Sequence, residues 1–334
     1  MQQEKTLTMP RFAETGVNLA SAGLGARAVS TSDEFFAPLA RLLDDAPAVF
    51  YPDRYDDHGK WMDGWETRRR RNGGHDHAVI ALAAPGRIQG FDVDTAHFTG
   101  NYPPACRIEA CRVDGDPNEA ADWQEILAMQ PLGPSAQHFF PCASEAVWSH
   151  LRLHIYPDGG IARLRVYGRP VIAAGTTGEI DLASALCGGR VVAFSNAHYG
   201  AYQRLLAPGR GRNMGDGWET RRLREPGNDW LIVELGAKGT ITRALIDTCH
   251  YKGNYPDGAA LRAADLSDFK GDLDQAVVTS AMFWPLLLDR QPLGADAEHS
   301  FAGELHDLGP VTHVRLDIFP DGGVSRLRLW GQAT

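Results

Sequence analysis

The chain repeats itself, and this internal repeat constrains its architecture more than any other feature. The segment Asp63–Arg69 reads DGWETRR and recurs letter for letter at Asp216–Arg222. At the same spacing, DTAHFTGNYP at 94–103 matches DTCHYKGNYP at 247–256. Two motifs that recur in register predict two copies of one structural unit.

The ends of the two copies also correspond. HLRLHIYPDGGIARLRVYG at 150–168 pairs with HVRLDIFPDGGVSRLRLWG at 313–331. A chain of 334 residues is long enough for two domains of ordinary size. We place the first domain at 14–170 and the second at 178–332, joined by the Pro-, Gly- and Thr-containing stretch 169–179.

Apolar and polar residues alternate along 151–155 and again along 163–166, on either side of Pro157–Gly160. This period is typical of strands with one buried face, and PDGG is a turn sequence, so the pattern predicts an antiparallel β-hairpin. Many short strands separated by Gly and Pro favour an all-β sandwich or barrel. We predict two sandwiches in tandem, with helical pattern confined to short pieces such as Glu119–Met129.

Composition excludes several classes of partner. A net charge of −9 disfavours nucleic acid and anionic membranes, both of which require clustered basic residues, and it favours a small polar substrate. No apolar run reaches membrane-spanning length and the N-terminus lacks the apolar core of a signal peptide, which predicts a cytoplasmic location. The five cysteines are odd in number and lack CxxC spacing, which predicts reduced thiols.

Each WETRR motif places a carboxylate, a hydroxyl and two guanidiniums beside a tryptophan. Arginine is suited to bidentate recognition of a carboxylate. In an extended segment Glu66 and Arg68 would share one side, so one arginine could face a substrate anion while the other braces the fold. The alternative is a structural salt-bridge network under a loop. The motif supplies these candidate residues: Glu66, Thr67, Arg68 and Arg69, with Trp218, Glu219, Thr220, Arg221 and Arg222 in the second copy.

A second group of polar residues follows at the same spacing in each copy. An aspartate, a histidine three residues later and an Asn-Tyr-Pro turn offer an acid/base pair and amide hydrogen bonds that suit a urea-like ligand. Lys252 replaces Thr99 and makes the second copy the better candidate for binding an anion. Alternatively, the aspartate and asparagine cap turns and the histidine is satisfied locally. The residues are Asp94, His97, Asn101 and Tyr102, and Asp247, His250, Asn254 and Tyr255.

Other motifs carry less weight. His75 and His77 could share a metal ion in a cupin-like sandwich, but the second copy has Asn228 and Trp230 there, so we assign neither a metal site nor a cofactor and leave a divalent ion open. The run Arg68–Arg71 resembles a phosphate or nucleic-acid patch, which the acidic chain disfavours. The sequence lacks a Walker loop, GxGxxG after a strand and GxSxG, so nucleotide-binding and serine-hydrolase functions have no support.

These motifs together resemble the allantoicase family. The resemblance rests on Gly59–Arg69, Gly90–Thr95, Thr99–Tyr102, Asn213–Thr220 and the two PDGG turns, and it extends from about Asn18 to Gly331. It implies two jelly-roll, galactose-binding-like domains, homo-oligomers and a hydrolase of linear amidines. Such an enzyme converts allantoate to (S)-ureidoglycolate and urea during allantoin degradation.

Allantoate carries a carboxylate and two ureido groups on one carbon, and the motifs can supply a partner for each. We expect Arg221, Arg222 and Lys252 to bind the carboxylate and Thr220 and Asn254 to bind the ureido groups. Glu219, Asp247 and His250 are candidates for the general acid and for the base that directs water. We expect their first-copy equivalents either to form a second site or to complete the first across an interface. Two alternatives stay open: a non-enzymatic tandem binding module, and a cupin-like metalloenzyme acting on ureidoglycolate.

Overall fold

The computed structural model describes residues 9–172, 176–269 and 273–334. The chain divides into two compact units, unit 1 at Met1–Val171 and unit 2 at Ile172–Thr334. Strands make up most of the regular secondary structure in both units, which confirms the predicted all-β class. None of the helices in the three described ranges is long and apolar enough to cross a membrane.

The described part of unit 1 contains twelve strands and little helix. Its strands are β1 (Val17–Asn18), β2 (Arg27–Thr31), β3 (Tyr55–Asp56), β4 (Gly59–Lys60), β5 (Trp65–Glu66), β6 (Asp76–Asp94), β7 (Ala105–Cys111), β8 (Gln124–Pro131), β9 (Gln137–Pro141), β10 (Val147–Tyr156), β11 (Gly160–Ile161) and β12 (Arg163–Pro170). Its helices are α1 (Arg11–Thr15) and the 3-10 helices Ala22–Leu24 and Leu39–Leu43.

Unit 2 repeats this order without equivalents of β3 and β4 among its described residues. Its strands are β13 (Ile180–Asp181), β14 (Arg190–Phe194), β15 (Trp218–Glu219), β16 (Asp229–Asp247), β17 (Gly258–Ala264), β18 (Leu286–Pro292), β19 (Glu298–Phe301), β20 (Val311–Phe319), β21 (Gly323–Val324) and β22 (Arg326–Ala333). Its helices are α2 (Leu273–Ser280) and the 3-10 helices Ala185–Cys187, Tyr202–Leu206 and Ala281–Phe283.

The long strand β6 organises unit 1. Its N-terminal half pairs with β2 and β10, and its C-terminal half pairs with β9 and β12. Most residues of β6 are buried, as in a strand covered on both faces. The strand thus belongs to both halves of a jelly-roll sandwich, and β16 does the same in unit 2.

A large apolar cluster forms the core of the unit 1 sandwich. It takes Ile80 and Phe91 from the two halves of β6, Leu153 from β10 and Leu164 from β12, and all four side chains are at most 1% exposed. Burying side chains of this size contributes about 1.5–3 kcal/mol each to folding, which stabilises the sandwich.

Two sequence predictions about local structure are wrong. The strands on either side of PDGG do not form a hairpin, because β6 lies between β10 and β12 and pairs with both. Residues 119–129 are not helical, and β8 begins at Gln124 in this stretch. Alternation identifies strands, but the choice of partner depends on contacts far apart in the sequence.

A separate two-stranded sheet positions the WETRR motif in each unit. In unit 1, β5 pairs with β11 directly after the PDGG turn, and in unit 2, β15 pairs with β21. The fully buried Trp65 anchors β5 by donating its indole N–H to the Asp33 carbonyl at 2.8 Å. Gly160 lies against the ring of Phe98, where a Cβ would come within 1.9 Å of a ring carbon, so only glycine allows the strand to approach this loop.

Candidate active site

The structure joins the two repeated motifs through one hydrogen bond. In unit 1, the Asn101 side-chain amide donates to Oε1 of Glu66 at 2.6 Å. Glu66 is the last residue of β5, and Asn101 lies on the loop that follows β6. The carboxylate of one motif and the amide of the other therefore form a single polar group.

Unit 2 has the same arrangement. The Asn254 amide donates to Oε1 of Glu219, which ends β15. Both glutamates are half-buried, and so are both asparagines. We call these two arrangements the Glu–Asn pairs.

The Glu–Asn pair of unit 1 faces a cavity of about 380 Å³. This volume suits a small polar molecule. The cavity is lined by Phe36, Glu66, Thr67, Arg69, Gly100, Asn101, Tyr102, Pro104, Pro157, Asp158 and Gly159. Five of the residues predicted from the two motifs thus meet in one place, namely Glu66, Thr67, Arg69, Asn101 and Tyr102.

Burial changes the acidity of Glu66. Removal from water raises the pKa of this carboxyl above its ordinary value, although the Asn101 amide favours the ionised form, and the charge of Asp56 raises the pKa further. A carboxyl with a raised pKa can hold a proton at a pH where exposed glutamates are ionised. This property is typical of a general acid.

Sequence reasoning missed Asp158 and Phe36. Asp158 is the aspartate of the PDGG turn, and its side chain is only 8% exposed. It accepts from the Arg70 backbone N–H at 2.7 Å and lies 3.7 Å from Nε of Arg69. The PDGG sequence is identical in both copies, but its turn explains the aspartate without a functional role, so the sequence alone does not indicate one.

The two threonines of the motif hold the PDGG turn in place. The Thr67 hydroxyl accepts from the Gly159 N–H at 3.1 Å and donates to the Gly159 carbonyl at 3.4 Å. Thr220 makes the same pair of contacts with Gly322. Both side chains are buried, so these hydroxyls fix the turn that carries the aspartate.

The two arginines of unit 1 lie in different surroundings, but not in those that strand alternation predicted. Arg68 binds Asp33 with 2.7 Å between Nη2 and Oδ1, whereas Arg69 lines the cavity together with Glu66. The prediction that Glu66 and Arg68 share a side is wrong because β5 ends at Glu66 and the chain then leaves the extended geometry. In unit 2, Arg221 and Arg222 are both exposed.

The aspartate and histidine of the second motif in unit 1 do not line this cavity, and those of unit 2 have partners of their own. Among the described residues that line the cavity, neither Asp94 nor His97 appears. Asp94 accepts from the Ala96 N–H at 2.8 Å. The buried Asp247 binds Arg210 through two contacts of 3.1 Å.

The two histidines adopt the same backbone conformation. His97 and His250 have φ of 69° and 72°, in the left-handed region. Their Nε2 atoms bond to the carbonyls of Ala48 and Gly211, at 3.2 and 2.9 Å. These contacts match the alternative in which the histidines are satisfied locally.

The other predicted residues take varied positions. Trp218 is fully buried, as Trp65 is, and donates to the Asn196 carbonyl at 2.8 Å. Tyr255 is half-buried. Lys252 is 78% exposed, and its ammonium lies 3.9 Å from Asp296.

The remaining motifs have partners of their own. His75 Nε2 lies 2.8 Å from His154 Nδ1, and His154 in turn contacts Glu109 at 2.9 Å, so these imidazoles form a relay of hydrogen bonds. The run Arg68–Arg71 lines a second groove of about 450 Å³, where Arg70 binds the buried Asp76 at 2.6 Å.

Comparison with known proteins identifies close relatives of this chain. The family described as "Allantoicase repeat" matches residues 17–171 and 180–334. A "Probable allantoicase" of Rhizobium meliloti (strain 1021) is 62% identical over 97% of this chain and 96% of its own length. "Probable allantoicase 1" of Burkholderia mallei (strain ATCC 23344) is 56% identical over 96% of each chain.

Solved structures agree. The crystal structure of allantoicase from Saccharomyces cerevisiae matches with a TM-score of 0.80 and 34% identity, over 95% of this chain and 93% of that chain. A second solved allantoicase structure matches with a TM-score of 0.81 and 34% identity, over 95% of this chain and 94% of that one. The two-repeat, jelly-roll fold class is thereby confirmed.

Proposed function

Because the chain belongs to the allantoicase family, we propose that it hydrolyses allantoate to (S)-ureidoglycolate and urea. The enzyme is a hydrolase that acts on a C–N bond of a linear amidine. Its partner is a small molecule, and the reaction belongs to the degradation of allantoin.

The reaction sets three requirements for a site. The bond between the central carbon of allantoate and one ureido nitrogen breaks, and a water oxygen takes its place on that carbon. One proton of the water is lost to a base, and one proton is delivered to the departing nitrogen, which leaves as urea. The substrate carboxylate needs a cation to hold it.

The Glu–Asn pair carries the proposal. Two polar side chains, 35 positions apart in the sequence, meet in both units, and in unit 1 they face a cavity of suitable size. We assign Glu66 and Glu219 as general acids for the departing ureido nitrogen. Asn101 and Asn254 orient these carboxyls and offer an amide to a ureido group of the substrate.

The other cavity residues fill the remaining roles. Arg69 is the proposed partner of the substrate carboxylate, because it lines the cavity and its side chain is 72% exposed. Arg222 is its counterpart in unit 2. Asp158 is the proposed base that directs water, since it lines the same cavity as Glu66, and Asp321 is its counterpart. Tyr102 and Tyr255 are proposed to form part of the wall.

Several predicted residues receive supporting roles in this proposal. Thr67 and Thr220 hold the turn, Trp218 anchors its strand, and Arg68 braces the loop through Asp33. Asp94 and His97 are not among the residues that line the unit 1 cavity, and Asp247 and His250 bind Arg210 and the Gly211 carbonyl. We therefore do not route a proton transfer through these four residues. Arg221 and Lys252 are exposed and could attract the anion to unit 2.

The proposal includes a cytoplasmic location and a homo-oligomer. All five cysteines carry free thiols, which suits a reducing compartment. Fractionation of cells that express the tagged protein tests the location, and light scattering of the purified protein tests the assembly.

The decisive experiment measures urea released from allantoate, with ureidoglycolate offered in parallel. The variants Glu66→Gln, Glu219→Gln and their double mutant are compared with Glu145→Gln, which changes an exposed glutamate. We expect the double variant to lose turnover at least about 100-fold with circular dichroism unchanged, as for loss of a general acid. Full activity in the double variant would overturn the assignment. Absence of urea from the wild-type protein would instead favour the tandem binding module.

A further inference from the structure

Three side chains that the proposed reaction does not use converge at one end of unit 2. Cys249 and His250 follow β16, and Asp296 lies on the loop between β18 and β19. One ligand atom from each residue lies within 4.8 Å of the others. Thiolate, imidazole and carboxylate together form a donor set that suits Zn²⁺.

The internal repeat shows that this set is specific to unit 2. In unit 1, His97 has the same left-handed backbone conformation as His250. The backbone N–H of His97 donates to the Ser135 hydroxyl at 3.2 Å, and the backbone N–H of His250 donates to the Asp296 carboxylate at 2.7 Å. The position of Cys249 is Ala96 in unit 1. The shared scaffold holds the histidine in both units, and only unit 2 has a metal-binding side chain at each of the two neighbouring positions.

The surroundings prepare the histidine as a ligand. The Gly211 carbonyl can only accept, so Nε2 of His250 is the donor in their 2.9 Å contact, and Nδ1 carries the free lone pair. A carbonyl that accepts from the other ring nitrogen fixes the tautomer of metal-bound histidines. Cys249 is 7% exposed, and its Sγ lies 4.0 Å from the same Gly211 carbonyl, so the sulfur and the imidazole are held side by side.

Two cations lie nearby, and neither blocks the site. Arg210 is neutralised by the buried Asp247 at 3.1 Å and by Glu298 at 3.4 Å. Lys252 is 78% exposed and lies 3.9 Å from Asp296, so its flexible side chain can turn into solvent when the carboxylate binds an ion.

We propose that Cys249, His250 and Asp296 form a zinc site in unit 2, with a fourth position for water. The ion would join the loop after β16 to the loop between β18 and β19 and so hold this end of the sandwich together. This inference goes beyond the proposed function and does not depend on it.

The test is metal binding rather than turnover. Chelator-treated protein is titrated with ZnCl₂ alone by calorimetry, and with CoCl₂ to detect the thiolate-to-cobalt charge-transfer band. We expect about one ion per chain, a thiolate band, and a rise in melting temperature with zinc, since an ion that binds only the folded state stabilises it.

Unit 1 supplies the matched variants. Cys249→Ala and Asp296→Ser install the residues that the equivalent scaffold of unit 1 carries, and the control Cys187→Ala removes a half-buried thiol elsewhere in unit 2. We expect the first two variants to weaken zinc binding at least about 100-fold, and the control to bind as wild type. Should Cys249→Ala fail to fold by circular dichroism, Asp296→Ser carries the test.

Three outcomes would overturn the inference. They are no zinc binding by the wild-type protein, binding unchanged in both ligand variants, and a cobalt complex without a thiolate band. None of them bears on urea release, so the zinc site and the proposed function can fail separately.

Discussion

Arg163 and Asp63 form a buried ion pair in unit 1, with 2.7 Å between Nη2 of the guanidinium and Oδ2 of the carboxylate. Arg163 is 1% exposed, and its other nitrogens donate to the carbonyls of Ala46 and Asp63. Arg326 and Asp216 form the same pair in unit 2 at 2.9 Å. The aspartate that opens each DGWETRR motif thus fixes β12 or β22 to the motif, which leaves the glutamate and arginine for chemistry.

Removing one member of this pair should destabilise unit 1. Asp63→Asn leaves the Arg163 charge buried without its counter-ion, and such losses cost about 3–5 kcal/mol. Urea denaturation measures the change in free energy of unfolding. Asp116→Asn, at an exposed pair with Arg27, is the control and should change stability little. Equal losses in the two variants would contradict this prediction.

The pH dependence of turnover should report the acidity of Glu66. In a Glu219→Gln background, kcat/KM should fall as pH rises through the pKa of Glu66, because the general acid loses its proton. Asn101 favours the ionised form, so Asn101→Ala should raise this pKa and move the alkaline limb to higher pH. Asp56→Asn should move it to lower pH, since the Asp56 charge raises the pKa. If the alkaline limb of the pH profile were the same in Glu219→Gln and in both double variants, a group other than Glu66 would be titrating.

The arginines of unit 1 should differ in their effect on substrate binding. Arg69→Ala, in the same background, should raise KM by about 10–100-fold, which corresponds to the loss of a charged hydrogen bond of about 1.5–3 kcal/mol. Arg68→Ala is the matched control, because Arg68 binds Asp33 rather than lining the cavity. Steady-state kinetics on allantoate compares them. A larger KM effect from Arg68 would reverse the two assignments.

The imidazole relay should make unit 1 sensitive to acid. Burial lowers the pKa of His154 to about 4, against 6.5 when unfolded, so between these values the unfolded chain binds a proton that the folded chain does not. The contribution of this group to the free energy of unfolding is complete above pH 6.5. It falls by up to about 3 kcal/mol as the pH falls towards 4. Denaturation at several pH values should show a weaker dependence in His154→Gln than in wild type. Parallel curves would exclude this source of acid sensitivity.

Much of the fold followed from the sequence. Identical motifs at one spacing predicted two units, and alternation around PDGG predicted strands at Leu151–Ile155 and Arg163–Val166. The pairing of those strands was not predictable, because β6 contributes to both through contacts that local pattern does not encode.

The candidate site was predicted in its parts but not in its assembly. The glutamate and the asparagine were each singled out, yet their hydrogen bond joins loops that only the folded β5 and β6 bring together. Asp158 was hidden because a turn aspartate has an ordinary local explanation. The zinc ligands were hidden because Asp296 lies far along the chain from Cys249.

The shared strand β6 has a consequence for how each repeat unfolds. Because one continuous strand pairs with both sets of strands, opening either half of the sandwich should disturb a strand that the other half also needs. Each repeat should therefore behave as one cooperative unit, with the amides of β6 and β16 among the last to exchange with deuterium. A destabilising substitution anywhere along such a strand should speed amide hydrogen exchange throughout the repeat.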